Sequence, residues 1–533
     1  MHINRIFGFF GLIAILSGCT NNNGDWFDDY GTLQTGTPAQ MQYGTFDASG
    51  VTPDNLNSAD THRVAVLLPL SGDNAAAGNM IRTSIELATL QRGPQNLAIS
   101  FYDTAPNASS AINQALSINP EIIIGPLFAG DARIIREAKP ESTPVLSFTS
   151  DATAVGRGVM SMSLMPTNSV EAIVREMQSD GTRSFIVVAP DTPSGQLMAG
   201  TARNAASIYD IPVSGVFYYT EKDAESIKNT MAAASMNTAR VAANNRAREI
   251  LSDILTKERL TAIEKSSLNH QLDKLAKTDT LGDLPYDAVL FLGSGDDTKS
   301  LASFLRYYGV GARDARFYGT AMWDGADIAS DLTMSGAKFA ALPPVSENFA
   351  NLYEQTDGAA PTRLATFGYD AANMAMGMIY SNKSNAAYLL DPSGYMGLDG
   401  LFRLKPTGES ERALRIVELD GSGTPRVIKN APTNFMSPIY NIEQRHITPA
   451  RAMSLETPGI NPMNYIQVPD RLRSQYKSKT FGANMTKSVS TPRQENIVIM
   501  SSDDNTVIEN PDYKPVSLER VNRTYIDEIE IEE

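Results

Sequence analysis

Short apolar runs alternate with amphipathic stretches from His62 onward. Arg63–Leu70 is apolar and ends at Ser71-Gly72, and Ala75–Gln91 follows with apolar residues at Met80, Ile81, Ile85 and Leu87, which predicts a helix. The same rhythm predicts a strand over Leu97–Tyr102, a helix over Ala108–Ser117, a strand at Glu121–Ile124 closed by Gly125-Pro126, a helix over Asp131–Ala138 and a strand at Pro144–Phe148. A second series repeats it: helix Ser169–Gln178, strand Ser184–Ala189, helix Ser194–Ile208, strand Val213–Tyr219. After an interruption come strand Asp287–Gly293, helix Lys299–Tyr308 and strand Arg316–Thr320. Apolar strands without in–out alternation are strands covered on both faces, so the pattern predicts an α/β fold of two lobes, each a doubly wound, mostly parallel sheet. The change of series puts a hinge near Pro166.

Three stretches break the rhythm. Residues 221–280 are polar and Ala-rich, with Arg240, Arg246, Arg248, Lys257, Arg259 and Lys265 set among Leu and Ile at helical spacing. They predict a helical insertion or hairpin, far longer than an ordinary connection, and such excess is often functional. Its charges of both signs also suit a solvated face. Residues 19–61 are rich in Asn, Gly, Asp, Thr and Gln without period and predict a flexible tether. Residues 436–533 carry many Pro, Asn, Ser and Thr and end in the acidic–apolar alternation Tyr525–Glu533; they predict an extension of low order. The folded body is thus expected over residues 62–435.

The first 18 residues carry a different signal. A basic start ending at Arg5 precedes the apolar run Ile6–Leu16, too short to span a bilayer, which needs about 20 residues. Leu16-Ser17-Gly18-Cys19 resembles a bacterial lipobox, which implies cleavage before Cys19 and lipidation of its thiol. Thr20 stands where an Asp commonly marks retention at the inner membrane, so the expected location is the periplasmic side of the outer membrane. Cys19 is the only cysteine, which excludes a disulfide framework. The formal charge of −15 argues against nucleic-acid binding. The four histidines sit in no metal-binding spacing, and neither a G-x-S-x-G elbow nor a Walker loop is present. No cofactor, metal or catalytic residue is expected, and the chain reads as a binding protein rather than an enzyme.

Residues 63 to about 427 resemble type I periplasmic binding proteins, the leucine/isoleucine/valine-binding-like class. The resemblance rests on Val64–Gly72 with Gly78, on Ile123–Leu127, on Pro144–Ser147, on Phe367–Ala372, which is like the helix start of a returning lobe, and on the closing segment Gly397–Leu404. The insertion ahead of Tyr286–Leu292, the helix after it, Phe317–Thr320 and the lipobox together look like the penicillin-binding protein activator lipoproteins. That resemblance implies a lipoprotein that binds and activates a peptidoglycan synthase. The alternative is a solute-binding lipoprotein of an ABC transporter for amino acids or related small molecules. The helical-repeat domain that other activators carry ahead of the body has no room in the polar residues before His62, so contacts are expected through the body itself.

Ligands of doubly wound sheets bind at the carboxyl ends of strands. The candidate cleft residues on the strand-end loops are Ser71, Gly72, Ser147, Thr149, Ser150, Asp191, Ser194, Trp323 and Asp324. The resemblance implies hydroxyls for a ligand carboxylate, from Ser147, Thr149 and Ser150, and an acid for its ammonium, from Asp324. Against this, each hydroxyl also suits a helix cap, and Trp323 also suits a core. Leu127-Phe128-Ala129 offers no hydroxyl, and Asp191–Ser194 no aromatic.

Overall fold

A computed structural model describes residues 39–40, 61–92, 96–381, 383–435, 447–455 and 459–480. Cys19, most of the expected tether and the Tyr525–Glu533 segment lie outside the described residues.

The first lobe's main sheet is built in one pass. After a short strand β1 (Ala39–Gln40) come β2 (His62–Leu68), α1 (Ala75–Arg92), β3 (Leu97–Asp103), α2 (Ala108–Ser117), β4 (Ile122–Ile124), α3 (Ala129–Ala138), β5 (Val145–Ser147) and β6 (Val159–Ser161). They form a five-stranded sheet in the order β3-β2-β4-β5-β6, parallel throughout. Two glycines let its layers close. A Cβ on Gly78 of α1 would lie 1.9 Å from the Pro69 carbonyl oxygen. One on Gly125, at φ +93°, would lie 2.0 Å from that of Leu67.

The chain then crosses at Met162–Met165, just ahead of Pro166, which occupies the first turn of α4 (Pro166–Ser179). The second lobe continues with β7 (Phe185–Pro190), α5 (Pro193–Ile208), β8 (Val213–Tyr219), α6 (Ala224–Ala234), α7 (Asn237–Lys257), α8 (Ala262–Ala276), β9 (Ala288–Phe291), α9 (Gly295–Tyr307), β10 (Arg316–Gly319) and β11 (Lys338–Ala341). A second crossing at 342–346 returns to the first lobe with α10 (Glu347–Asp357), α11 (Arg363–Ile379) and α12 (Asn385–Leu389), α11 lying along α1. There β12 (Tyr395–Gly397), β13 (Gly400–Leu404) and β14 (Ser410–Arg412) make a small sheet with β1. A third crossing at Ala413-Leu414 delivers β15 (Arg415–Glu418), antiparallel to β11, and β16 (Arg426–Lys429), antiparallel to β15, to the second lobe. That lobe's seven-stranded sheet runs β16-β15-β11-β10-β9-β7-β8.

Core strands such as β4, β7 and β9 are buried at every position. Each large aliphatic side chain so buried contributes about 1.5–3 kcal/mol. One cluster runs from Val64 and Ile81 in the first lobe, through Met162, Leu342 and Leu414 at the crossings, to Phe185 and Met198 in the second. Separate clusters cover the far face of each sheet.

The insertion at 221–280 divides in two. Ile227, Met231 and Ala234 of α6 belong to the second lobe's core, so this helix is a layer of the doubly wound sheet and not part of a projecting hairpin. Helices α7 and α8 form the hairpin. Thr261 and Glu264 close a reciprocal capping box at the start of α8, and Arg240 pins its base by donating to the carbonyls of Gly282 (3.2 Å) and Tyr308 (3.3 Å).

Parts of the C-terminal extension are ordered against the body, at variance with the low order expected from residue 436 on. Met453 exchanges both backbone hydrogen bonds with Val216 of β8 (2.8 and 2.9 Å), and Ala450 N donates to the Gln196 carbonyl (3.0 Å). An edge strand presents unpaired N–H and C=O groups, and this strap satisfies some of them. Further on, Gln467 N donates to Gln271 of α8 (2.7 Å) and the Tyr465 hydroxyl accepts from Asp283 N (3.1 Å). Helix α13 (Asp470–Thr480) belongs to a separate compact unit that begins at Asp470. No described helix is long and apolar enough to cross a membrane.

Candidate functional site

The two lobes face each other across a cleft of about 540 Å³. The first lobe supplies Phe148 and Ser150 from the loop after β5, and Arg363, Leu364 and Phe367 from the first turns of α11. The second supplies Ala321, Asp324 and Gly325 from the loop after β10. The crossings supply Ser163, Leu164 and Leu342. The walls are mainly apolar, and Asp324 and Arg363 are the only charged residues among those lining it.

Two of the nine candidates, Ser150 and Asp324, line this cleft. Ser147 is buried, and its hydroxyl donates to the Pro126 carbonyl (2.8 Å). The Thr149 hydroxyl accepts from Asp151 N (3.1 Å) in a local turn. Ser71 and Gly72 are exposed in the turn before α1 and do not line the cleft. Asp191 and Ser194 are exposed beside the start of α5, where Thr192 is the cap, accepting from Gly195 N (3.1 Å). Trp323 does not belong to the cleft. It is buried in the second lobe's core against Phe291 and Phe339, its Nε1–H donating to Thr298 Oγ1 (3.2 Å). The ring lies where Gly319 has no Cβ; a Cβ there would come within 2.2 Å of it. A large aromatic with a satisfied N–H is best buried, which is why it turns inward.

Sequence reading did not single out the charged network behind the cleft. Arg363 reaches Asp399 in the turn between β12 and β13 and, at 3.5 Å, Asp324 of the other lobe. Asp399, with its side chain fully buried, also takes the Thr366 hydroxyl. Asp370 of α11 accepts the Leu398 N–H on both oxygens (3.0 and 3.1 Å). Burial, and then the nearby Asp399 charge, push the Asp370 carboxyl up to about 7, against the opposing pull of Arg412. Arg412 is itself buried between Phe367 and Phe402, 4.4 and 4.8 Å from the ring centres, and donates to the Met162 carbonyl. Its Nε and Nη1 have no hydrogen-bond partner among the described residues. The network therefore sits where the first and third crossings meet. Phe367, Asp370 and Asp399 all lie inside segments that carried the resemblance; their convergence had no local sign.

The geometry leaves little for a free amino acid. The cleft acid already faces an arginine, and Ser147 and Thr149 are spent within the chain. A buried ammonium or carboxylate without full pairing is costly.

Residues 46–205 match the family model described as "LppC putative lipoprotein". The penicillin-binding protein activator LpoA of Haemophilus influenzae is 23% identical over 187 residues, covering 32% of this chain and 32% of that protein. The activator of the same name from Mannheimia succiniciproducens is 25% identical over 174 residues, covering 32% and 30%. The matched stretch spans about a third of the length of these curated relatives. Among solved structures, a chain described as "a putative branched-chain amino acid ABC transporter" from Rhodospirillum rubrum superposes with a TM-score of 0.52 at 18% identity, covering 69% of this chain and 100% of that one. The fold is that of the type I periplasmic binding proteins, and the resemblance to the activator lipoproteins is carried by the sequence matches.

Proposed function

We propose that the chain is an outer-membrane lipoprotein, anchored through Cys19, that binds and activates a peptidoglycan synthase. The observation that carries this reading is the sequence match to two proteins named as penicillin-binding protein activators. The cleft supports a non-catalytic role, because its one acid is turned onto Arg363 and most of the candidate ligand-binding hydroxyls are used within the chain. Activation then means that the body binds one conformation of the synthase better than another.

The docking surface in this reading is the α7–α8 hairpin. It stands on the second lobe, pinned at its base by Arg240, and presents Arg248 and Lys265 to solvent. Exposed charges at a rim raise the association rate and select partners more than they raise affinity. The test is stimulation of purified peptidoglycan synthases by the full chain and by the double variant Arg248→Glu/Lys265→Glu. We expect the wild type to stimulate one synthase, and the variant to melt at an unchanged temperature yet stimulate several-fold less. Failure to bind or stimulate any synthase, together with tight calorimetric binding of an amino acid, would replace this reading with solute transport. Full stimulation by the double variant would move the docking surface off the hairpin.

A further inference from the structure

Arg363 stands where a helix least favours it. It is the first residue of α11, whose first turn holds no acid. The N-terminal end of a helix carries partial positive charge and disfavours cations. Its guanidinium must therefore find its counter-charges outside the helix, and it finds one in each lobe. Asp399 belongs to the first lobe and is fully buried; it takes Nη1 of Arg363 and the Thr366 hydroxyl together. That contact fixes the plane of the guanidinium and leaves Nη2 aimed across the cleft. There it meets Asp324 at 3.5 Å, with both side chains 29% exposed.

Asp324 is equally well fixed to the other lobe. It ends the short 3-10 turn Ala321–Trp323, and Trp323 is 1% exposed in that lobe's core. Arg363 cannot follow it, because Thr362 and α11 are held against α1 by packing and by the contact of the Thr362 hydroxyl with Met80. The pair thus spans two lobes joined by three crossings. Among the cleft-lining residues, neither charge has another opposite charge to choose.

We infer that Arg363 and Asp324 form an intramolecular latch that closes the two lobes on each other in the absence of any ligand, taking the place that a bound solute would fill. The strength of such a half-exposed pair suits a latch rather than a bolt. Exposed ion pairs shift an equilibrium by up to about fivefold. A partner pressing on either lobe, or a ligand bringing its own carboxylate or ammonium, would compete with it directly. The inference stands apart from the proposed activation of a synthase and concerns the body alone.

The test is a distance measurement between the lobes. In a Cys19→Ser background, spin labels are placed at Asn113→Cys on α2 and Ser303→Cys on α9, both exposed helical positions. Pulsed electron resonance on the full chain then reports the distance distribution. The wild type should show one dominant short population at low salt. Asp324→Asn should enlarge a longer population several-fold, and Asp324→Arg, which sets two cations face to face, should enlarge it further. Raising sodium chloride from about 0.1 M to about 0.5 M, which roughly halves the screening length, should lengthen the wild type toward Asp324→Asn and leave Asp324→Asn unchanged. Identical distributions for all three proteins at both salt concentrations would overturn the latch. So would an Asp324→Asn variant as salt-sensitive as the wild type, since other charges would then hold the lobes.

Discussion

Asp370 shows how one buried residue couples this fold to pH. Its carboxyl is pushed up to about 7 by burial and then by Asp399, while Arg412 and the Leu398 N–H oppose the shift. In the unfolded chain it returns to the ordinary carboxylate value near 4. Between about pH 4 and pH 7 the folded state therefore binds more protons than the unfolded state. Stability from this group falls as pH rises through that window, by at most about 1.4 kcal/mol per pH unit, and the penalty is complete above pH 7. Asp370→Asn keeps an oxygen for the Leu398 N–H but carries no proton equilibrium. Thermal melts of both proteins from pH 5 to pH 8 should show the variant gaining on the wild type as pH rises. Parallel curves would mean that Asp370 is charged throughout or protonated throughout. Trp323 makes a complementary point. Whether it faced a ligand or a core depended on Gly319, Phe291 and Phe339, three residues brought beside it only by the folded lobe.

At the scale of elements, the decisive piece is the strap at 447–455. Edge strand β8 closes one side of the seven-stranded sheet, and Met453 pairs with its Val216 through two backbone bonds. Met453→Pro removes the donor to the Val216 carbonyl, leaving an edge acceptor unpaired at a cost of about 1–3 kcal/mol. Met453→Leu keeps both bonds. Denaturant unfolding should place the leucine variant near wild type and the proline variant lower by roughly that amount, and amide exchange at Val216 should rise only in the latter. Equal stability of the three proteins would show that the strap adds nothing to the sheet. Most elements ahead of it were legible. Strand Val213–Tyr219 and helix Ala108–Ser117 fall where apolar period and turn residues placed them. The strap was not legible, because its contribution lies in backbone hydrogen bonds to a distant edge, and backbone pairing leaves no pattern in side-chain polarity. The insertion misled for a related reason. Helices α6 and α7 share a similar Ala-rich composition, yet α6 covers the sheet and α7 packs on α8.

For the whole molecule, the placement of the body depends on Cys19. If the lipobox reading holds, Cys19→Ser should abolish lipid labelling and move the protein from the membrane fraction to the soluble fraction or leave it uncleaved. A variant that still fractionates with the outer membrane would remove the anchor from the account. Three crossings join the lobes, and one apolar cluster passes through all of them at Met162, Leu342 and Leu414. Motion between the lobes is thereby confined to hinging about these segments, which is what makes a single ion pair at the cleft mouth able to influence it.

The alternation of apolar runs and amphipathic stretches was enough, by itself, to determine a two-lobed α/β body. Parallel strands buried on both faces must be apolar along their length, and the helices that cover them must carry one apolar face. The family resemblance was legible for the same reason: Gly78 and Gly125 permit close approaches that any larger residue would block. The tertiary structure alone decided which loops meet. The second crossing returns α11 and the β12–β13 turn to the first lobe, and so brings Arg363, Asp370, Asp399 and Arg412 together from positions up to 49 residues apart in the chain. Charge interactions depend on distance in space, and separation along the sequence carries no record of it.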